Sequence, residues 1–323
     1  MLSRHFFRSK VLQALYANQM YGSEYYQVEL DFKNNIMHLN TLGLLQLSAL
    51  VSMRQVAEQV MEDGLRKFMP SEEERNPSRR MVDNRLLQKM EDNFDFRKFC
   101  ESAKISWGAN DDVLRKIYMD FRYSTAYRDY VEASDDSFEA DRNVSLMLFK
   151  AIVNSESVRA LICDRSLLWE DDFDQIAQYN FMMLKELDDT FDESTPLHLM
   201  NDTRFEKDVA DYEFALLLLK ASYLGRGEGE ELIKANLRGW DFERVALMDI
   251  IIINMAIAEL TSCPSIPERV TVDEYIELSK EFSTDRSKLF VNGILDSIII
   301  ELRAKGRINK SGRGLAYEDV PAE

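Results

Sequence analysis

The chain has 323 residues, enough for two domains or one elaborated domain. It is 46% hydrophobic with only 12 glycines and 6 prolines, and it carries 15 methionines, a composition that favours an all-α fold over a sheet. The net charge of −17 argues against a general nucleic-acid binder.

The charge is unevenly placed. Residues 1–20 carry Arg4, Arg8 and Lys10 and no acid; residues 303–314 carry Arg303, Lys305, Arg307, Lys310 and Arg313 and no acid. Removing these eight positive charges from −17 leaves −25 on the rest of the chain. Basic ends on an acidic body can hold phosphate at one face while repelling it elsewhere. The competing reading is solvated charge near helix ends.

Taken in chain order, the first helix is predicted over about 3–20. Phe7, Val11, Leu12, Ala14 and Leu15 fall on one arc. Arg4 and Arg8 lie along the same line as Val11 and Leu15, so Arg8 is expected to be partly buried, as a structural ion pair or as an RNA contact. Lys10 is expected on the solvent side. Helical patterns follow at about 25–69, 83–104, 110–133, 138–164 and 171–190, separated by polar, turn-like breaks at 70–80, 106–112, 132–137 and 192–203.

A faint internal repeat links two stretches. Asp141, Leu146, Leu148, Lys150 and Ala151 recur 70 residues later as Asp211, Leu216, Leu218, Lys220 and Ala221, and Leu161, Ile162 and Trp169 recur 71 residues later as Leu232, Ile233 and Trp240. The sequence leaves open whether this is duplication or the chance likeness of two amphipathic segments. The run Gly225-Arg-Gly-Glu-Gly229 reads as a helix–helix loop.

Toward the C-terminus, Leu247 to Ala258 is the most apolar run. It contains Asp249 and Asn254, and it is too short to span a bilayer. Thr271 and Glu274 have the spacing of a capping box opening a helix over 272–282. Thr284, Asp285 and Ser287 offer caps for the next helix. There Phe290, Ile294, Ile298 and Leu302 form a stripe, with Val291 and Leu295 beside it. Gly293 inside that helix implies close approach of another helix. Gly306 reads as a helix stop, and the tail from there as basic, then acidic, and flexible.

Phosphate-loop and dinucleotide signatures are absent from the sequence, and His5, His38 and His198 stand far apart with no cysteine nearby. No cofactor and no metal is therefore expected. Three scattered cysteines, Cys100, Cys163 and Cys263, read as reduced thiols of a cytoplasmic protein, and the N-terminus lacks signal-peptide shape. Acid pairs are abundant and unspecific, Cys263-Pro264 reads as a loop, and the expectation is a protein that is not an enzyme.

The C-terminal third resembles the NusB family of bacterial transcription antitermination factors. The resemblance rests on Asp249 opening an apolar helix that ends Ala258-Glu259-Leu260, and on Ile266-Pro267. It continues through V-T-V-D-E-Y-I-E-L-S-K-E-F (270–282) and K-L-F-V-N-G-I-L-D (288–296). Arg8 to Tyr16, R-S-K-V-L-Q-A-L-Y, resembles the family's first helix. Together these segments cover about 1–20 and 205–305.

The resemblance implies a NusB-like helical bundle carrying a helical insertion over 21–204 after its first helix. It also implies binding of the boxA element of ribosomal RNA transcripts together with NusE, a small-subunit ribosomal protein, within an RNA polymerase antitermination complex and with no membrane partner. By matched position, Arg4, His5, Arg8, Tyr16 and Phe290 are the implied RNA-contacting residues, and Asp249 and Arg286 the implied partner-contacting ones. Basic side chains suit phosphates and aromatic rings suit unpaired bases. The chain departs from the pattern at Phe6 and Phe7, which interrupt the basic cluster. It departs again at Ile250 and Asn254, where the family has basic residues, and at Arg286, where an acid is common. An alternative is a NusB-like scaffold that binds protein partners without RNA. Some RNA methyltransferases carry a NusB-like domain, but this chain shows no cofactor-binding segment.

Overall fold

The computed structural model describes residues 3–197, 204–237, 239, 241–284 and 286–315. Its regular elements are α-helices with short 3-10 turns, and no strand occurs among the described residues. In chain order these are α1 (Arg4–Tyr21), α2 (Tyr25–Leu65), α3 (Glu72–Arg75), α4 (Arg85–Asp92), α5 (Phe94–Ser102), α6 (Asp111–Arg122), α7 (Thr125–Glu132) and α8 (Phe138–Val153). They continue with α9 (Glu156–Cys163), α10 (Phe173–Glu186), α11 (Glu206–Leu224), α12 (Arg226–Asn236), α13 (Leu247–Ser262), α14 (Glu268–Phe282) and α15 (Ser287–Ala304). The fold is all-α, as the composition implied. The chain divides into two compact units, one of residues 36–202 and one of 2–35 with 203–323.

In the unit of residues 36–202, the core of α2 supplies Leu42, Leu45, Leu50 and Met53, all fully enclosed. By length and composition α2 is apolar enough to cross a membrane, yet 67% of that stretch is buried, which is the pattern of a core helix. Gln46 Nε2 donates to the Phe173 carbonyl at 3.0 Å, and Asn180 Nδ2 donates to the Gly43 carbonyl and to Gln46 Oε1, both at 3.0 Å. These amides fix the register of α2 against α10.

Three of the predicted helices are each two helices. The splitting residues are caps. Asn93 accepts from the Phe96 amide, Ser124 from Tyr127 and Ser155 from Val158, starting α5, α7 and α9. A side chain that satisfies an orphan N–H turns the chain out of its previous helix axis.

The other unit is built around α13, whose residues Ile251 to Leu260 are all buried. Helices α1, α11, α12, α14 and α15 all pack on it. On α15, Ile294, Ile298 and Leu302 of the predicted stripe are buried together with Val291 and Leu295 beside it, while Phe290 at its start is half-buried.

Several expectations change. The Thr271–Glu274 capping box does not form, because α14 already begins at Glu268 after Pro267; Ser71 and Glu74 form one instead, at α3. Arg286 precedes α15 without a side-chain cap bond, and Asp285 lies outside the described residues. Gly225 alone separates α11 from α12, so Gly227 and Gly229 sit inside a helix rather than a loop. Gly293 faces open space, with nothing within 4 Å of a Cβ built there, so helix packing does not account for it.

Residues 307–315 pack back on the fold rather than trailing as a flexible tail. Lys310 Nζ donates to the Cys263 carbonyl at 3.1 Å, the Ser311 amide to the Pro264 carbonyl at 3.0 Å, and Arg307 pairs with Glu228. Residues 316–323 lie outside the described residues.

The internal repeat has a structural counterpart. Helices α8 and α9, a 3-10 turn at Leu167–Trp169 and α10 follow one another as do α11, α12, a 3-10 turn at Phe242–Arg244 and α13. Asp141 accepts from Arg85 Nε at 2.7 Å, and Asp211, 70 residues on, accepts from Arg4 Nε at 2.8 Å. Trp240 lies outside the described residues.

Candidate nucleic-acid interface

The candidate site grows from the start of α1. Ser3 caps it by accepting from the Phe6 amide at 3.2 Å, which sets the first turn and aims residues 4, 5 and 8 at α11, α13 and α14. Arg8 enters the core. It is 2% exposed, with Nε and Nη2 each 2.7 Å from a different oxygen of Glu259, a two-pronged ion pair, and Nη1 3.2 Å from Glu274 Oε2. Burial alone would push the Arg8 pKa down. The hydrogen bond and charge of Glu259 outweigh it, and the guanidinium pKa rises.

Glu259 is wholly enclosed on α13 and accepts two further bonds, from Thr271 Oγ1 and the Tyr275 hydroxyl, both at 3.0 Å. Burial raises the Tyr275 pKa well above its usual value, which keeps the phenol a donor. Every neighbour of Glu259 is thus a donor, as a carboxylate without water requires. The segment predicted as a capping box serves here instead: Thr271 bonds Glu259, and Glu274 faces α1.

His5 stands between two carboxylates, Nδ1 at 2.8 Å from Glu274 Oε2 and Nε2 at 3.0 Å from Glu281 Oε1. Only the imidazolium can donate from both nitrogens. The hydrogen bond to Glu274 is the largest cause of a pKa raised above 6.5; burial opposes it, and Glu281 adds to the rise. The same bond, followed by Arg8, lowers Glu274. Arg4 is more open at 40% side-chain exposure, bonded to Asp211 and lying over the Phe214 ring at 5.1 Å.

Three residues of this region take inward positions. Arg8 forms the ion pair that was one of its two readings, and in this conformation its guanidinium does not reach a strand outside. Lys10 is 8% exposed rather than on the solvent side: Phe6 to Leu12 are buried on every face where α1 packs on both α11 and α13, and Nζ bonds Gln13 Oε1 at 2.7 Å. Asp249 is 5% exposed and its two oxygens accept from Ser283 Oγ at 2.6 Å and Ser287 Oγ at 2.9 Å, so it pins the α14–α15 turn to the start of α13 from inside.

The remaining named residues are accessible. Tyr16 is 39% exposed on α1, Arg286 and Lys288 are exposed at the start of α15, and Phe290 is half-buried behind an exposed Leu289. Four of the C-terminal basic residues have acceptors: Arg303 meets Glu268, Lys305 meets Glu301, and Arg307 and Lys310 bond as described above. Among the described residues no group of three or more histidine, cysteine or acidic side chains is arranged to hold a metal ion. Cys263 is buried, its thiol pushed up to about 11, which leaves it protonated and unreactive at neutral pH.

The sequence allowed an ion pair for Arg8 but did not name Glu259 as its partner, although a signal was there. Glu259 directly follows the apolar run 247–258, and Arg8 lies one turn in from Arg4 on a line shared with Val11 and Leu15. Two opposite charges, each stranded on a buried face, predict each other.

Comparisons with known proteins point to the NusB family, with a match that begins at residue 173, ahead of the 205 expected from the sequence. A model of the NusB family matches residues 173–299. The transcription antitermination protein NusB of Salinibacter ruber is 36% identical over 132 residues, 41% of this chain and 82% of that protein. Its namesake in Frankia casuarinae is 37% identical over 111 residues, 34% of this chain and 82% of that protein. The one in Chloroherpeton thalassium is 44% identical over 84 residues, 26% of this chain and 39% of that protein. No solved structure matches the chain.

Proposed function

Since the chain belongs to the NusB family, we propose that it is a transcription antitermination factor. It binds boxA-type single-stranded RNA of ribosomal RNA transcripts jointly with NusE, in a cytoplasmic RNA polymerase complex. The observation that carries this reading is the alignment with proteins named for transcription antitermination over 82% of their own length. The geometry supports it in one respect. The Arg8–Glu259 pair anchors α1 from within, leaving Arg4 and Tyr16 accessible on its outer side. In this reading Arg4 and His5 serve phosphates, Tyr16 and Phe290 stack on bases, and Arg286 meets the protein partner. Arg8 and Asp249 act from inside, by holding α1 and the α14–α15 turn in place.

A second reading is a scaffold that binds NusE or polymerase components without RNA. It is favoured by the carboxylate partners of Arg4, His5 and Arg8 and by the net charge of −17. The test is photo-crosslinking and anisotropy with a boxA RNA at low salt, with and without NusE. RNA adducts near Tyr16 and Phe290 that strengthen with NusE are expected. Capture of NusE with RNA signal at background selects the scaffold, and adducts confined to residues 36–172, outside the family match, defeat the family-based assignment.

A further inference from the structure

The cations at the start of α1 are covered to different depths. Arg4 is bonded to Asp211 on α11, whose side chain is 11% exposed, and Arg8 to Glu259 on α13, which is wholly enclosed. Packing holds both of those carboxylates in place. His5 is covered by two acids of α14, and the two differ. Glu274 is half-buried and shared: its Oε2 lies 2.8 Å from His5 Nδ1 and 3.2 Å from Arg8 Nη1. Glu281, two turns further along α14, has a side chain 50% exposed, and among the described residues its carboxylate bonds His5 Nε2 alone, at 3.0 Å.

Magnitudes separate the two acids. Breaking a buried ion pair leaves a charge without water and is strongly unfavourable, whereas an exposed pair is weak and opens readily. Withdrawal of Glu274 would also take a carboxylate from the buried Arg8. Withdrawal of Glu281 leaves its own charge in solvent and disturbs nothing else. Geometry points the same way. Glu274 takes the more buried nitrogen of His5 and Glu281 the exposed one, so Glu281 stands between the imidazolium and an anion arriving from outside. An oxygen 3.0 Å from Nε2 already fills the position that a phosphate oxygen would need.

We infer that Glu281 is the gate of this face, an internal stand-in for phosphate at His5 Nε2 that has to leave before an RNA strand is seated on the start of α1. The inference rests on the RNA-binding reading above. It makes an exposed side chain with one partner the residue that sets affinity there. It also ties the gate to protonation, because neutral imidazole donates from one nitrogen only and both bonds together require the imidazolium. The charged groups around His5 are Glu274 and Glu281 of α14, Asp211 of α11, Glu259 of α13 and, on α1 itself, Arg4 and Arg8. Arg4 is satisfied by Asp211, and Arg8 by Glu259 and Glu274, which leaves the His5–Glu281 bond as the one that opens at least cost.

The test uses the full chain and a boxA-type single-stranded RNA at low salt, with NusE present and absent, followed by anisotropy. Glu281→Gln keeps the shape of the side chain and removes its charge; it is expected to bind about fivefold more tightly, the equivalent of one opened surface pair. Glu277→Gln, one turn back on α14 and 55% exposed beside Lys280, removes the same charge without touching His5 and is expected to change affinity by at most about 1.5-fold. Both acids are exposed, so the thermal melts of both variants are expected to match the parent. In a His5→Gln background the gain from Glu281→Gln is expected to fall below about twofold. With His5 present the gain should shrink from pH 6 toward pH 8 as the imidazolium loses its proton. Equal gains from the two glutamine variants, or a full-sized gain without His5, make the effect one of bulk charge and overturn the inference. RNA that binds the parent and Glu281→Gln alike overturns the gate and leaves the RNA reading standing. RNA that binds neither the parent nor any variant overturns the RNA reading and the gate with it.

Discussion

Glu259→Gln is the sharpest probe of how the basic start of α1 is held. The native carboxylate accepts two bonds from Arg8, one from Thr271 and one from Tyr275. The glutamine keeps one acceptor oxygen and turns an NH₂ toward donors, so at least one buried donor loses its acceptor. Arg8 at 2% exposure is left with Glu274 at 3.2 Å as its remaining carboxylate. Removing one partner of a buried pair costs about 3–5 kcal/mol. The paired replacement Arg8→Met with Glu259→Leu removes both charges, and its cost is expected to be at least about 2 kcal/mol below the sum of the single losses. Urea denaturation with hydrogen-exchange readout of α1 and α13 amides isolates this unit from residues 36–202. A loss below about 1 kcal/mol for Glu259→Gln, or a double variant as unstable as the sum of its parts, would show that the pair does not hold α1.

Four shorter predictions accompany it. His5 has a folded pKa raised above 6.5, so its stabilising contribution is fully present below 6.5 and is lost as pH climbs through the raised value; the stability difference between parent and His5→Gln should shrink from pH 6 toward pH 8, and a difference that grows contradicts the double-carboxylate geometry. Gly293→Ala, with open space around its Cβ, should stabilise by up to about 1 kcal/mol and raise the melting temperature. Gly229→Ala should cost about 1–3 kcal/mol because its Cβ meets Asn254 Oδ1, and Asn254→Ala in the same chain should recover much of that loss. With Lys288 as an exposed cation beside the implied RNA path, and Arg4 and His5 giving up a carboxylate for each phosphate they meet, the slope of log K against log salt for single-stranded RNA should be shallow, about −1; a slope near −5 means that the paired cations have opened.

How much of this was legible in the sequence depends on the kind of feature. Helical content and the α15 stripe follow from periodicity, because apolar side chains at helical spacing have one burial solution. The splits at Asn93, Ser124 and Ser155 were written in cap residues but hidden by apolar spacing that continues across them. Thr271 and Glu274 misled for the opposite reason. Their spacing suits a cap, yet a buried carboxylate and a basic α1 compete for the same side chains, and tertiary partners win over a local bond. Lys10 was misplaced because one arc was assumed where α1 packs on two helices. A cavity beside Asn254 lay beyond sequence reasoning altogether, since its lining comes from α1, α11, α12 and α13, far apart in the chain.

The electrostatics of α1 set a condition on any RNA-binding role. A phosphate arriving at Arg4 or His5 meets side chains already bonded to Asp211, Glu274 and Glu281, so each contact exchanges one anion for another. That exchange gains little from charge alone and leaves the displaced carboxylate near the phosphate. Recognition under those terms has to draw on contacts indifferent to charge, chiefly stacking of bases on exposed rings. Tyr16 on α1 is such an exposed ring, three residues beyond the half-buried Gln13. An acidic protein that binds RNA in this way would depend weakly on salt and strongly on base contacts, the reverse of a protein that binds through a free arginine cluster.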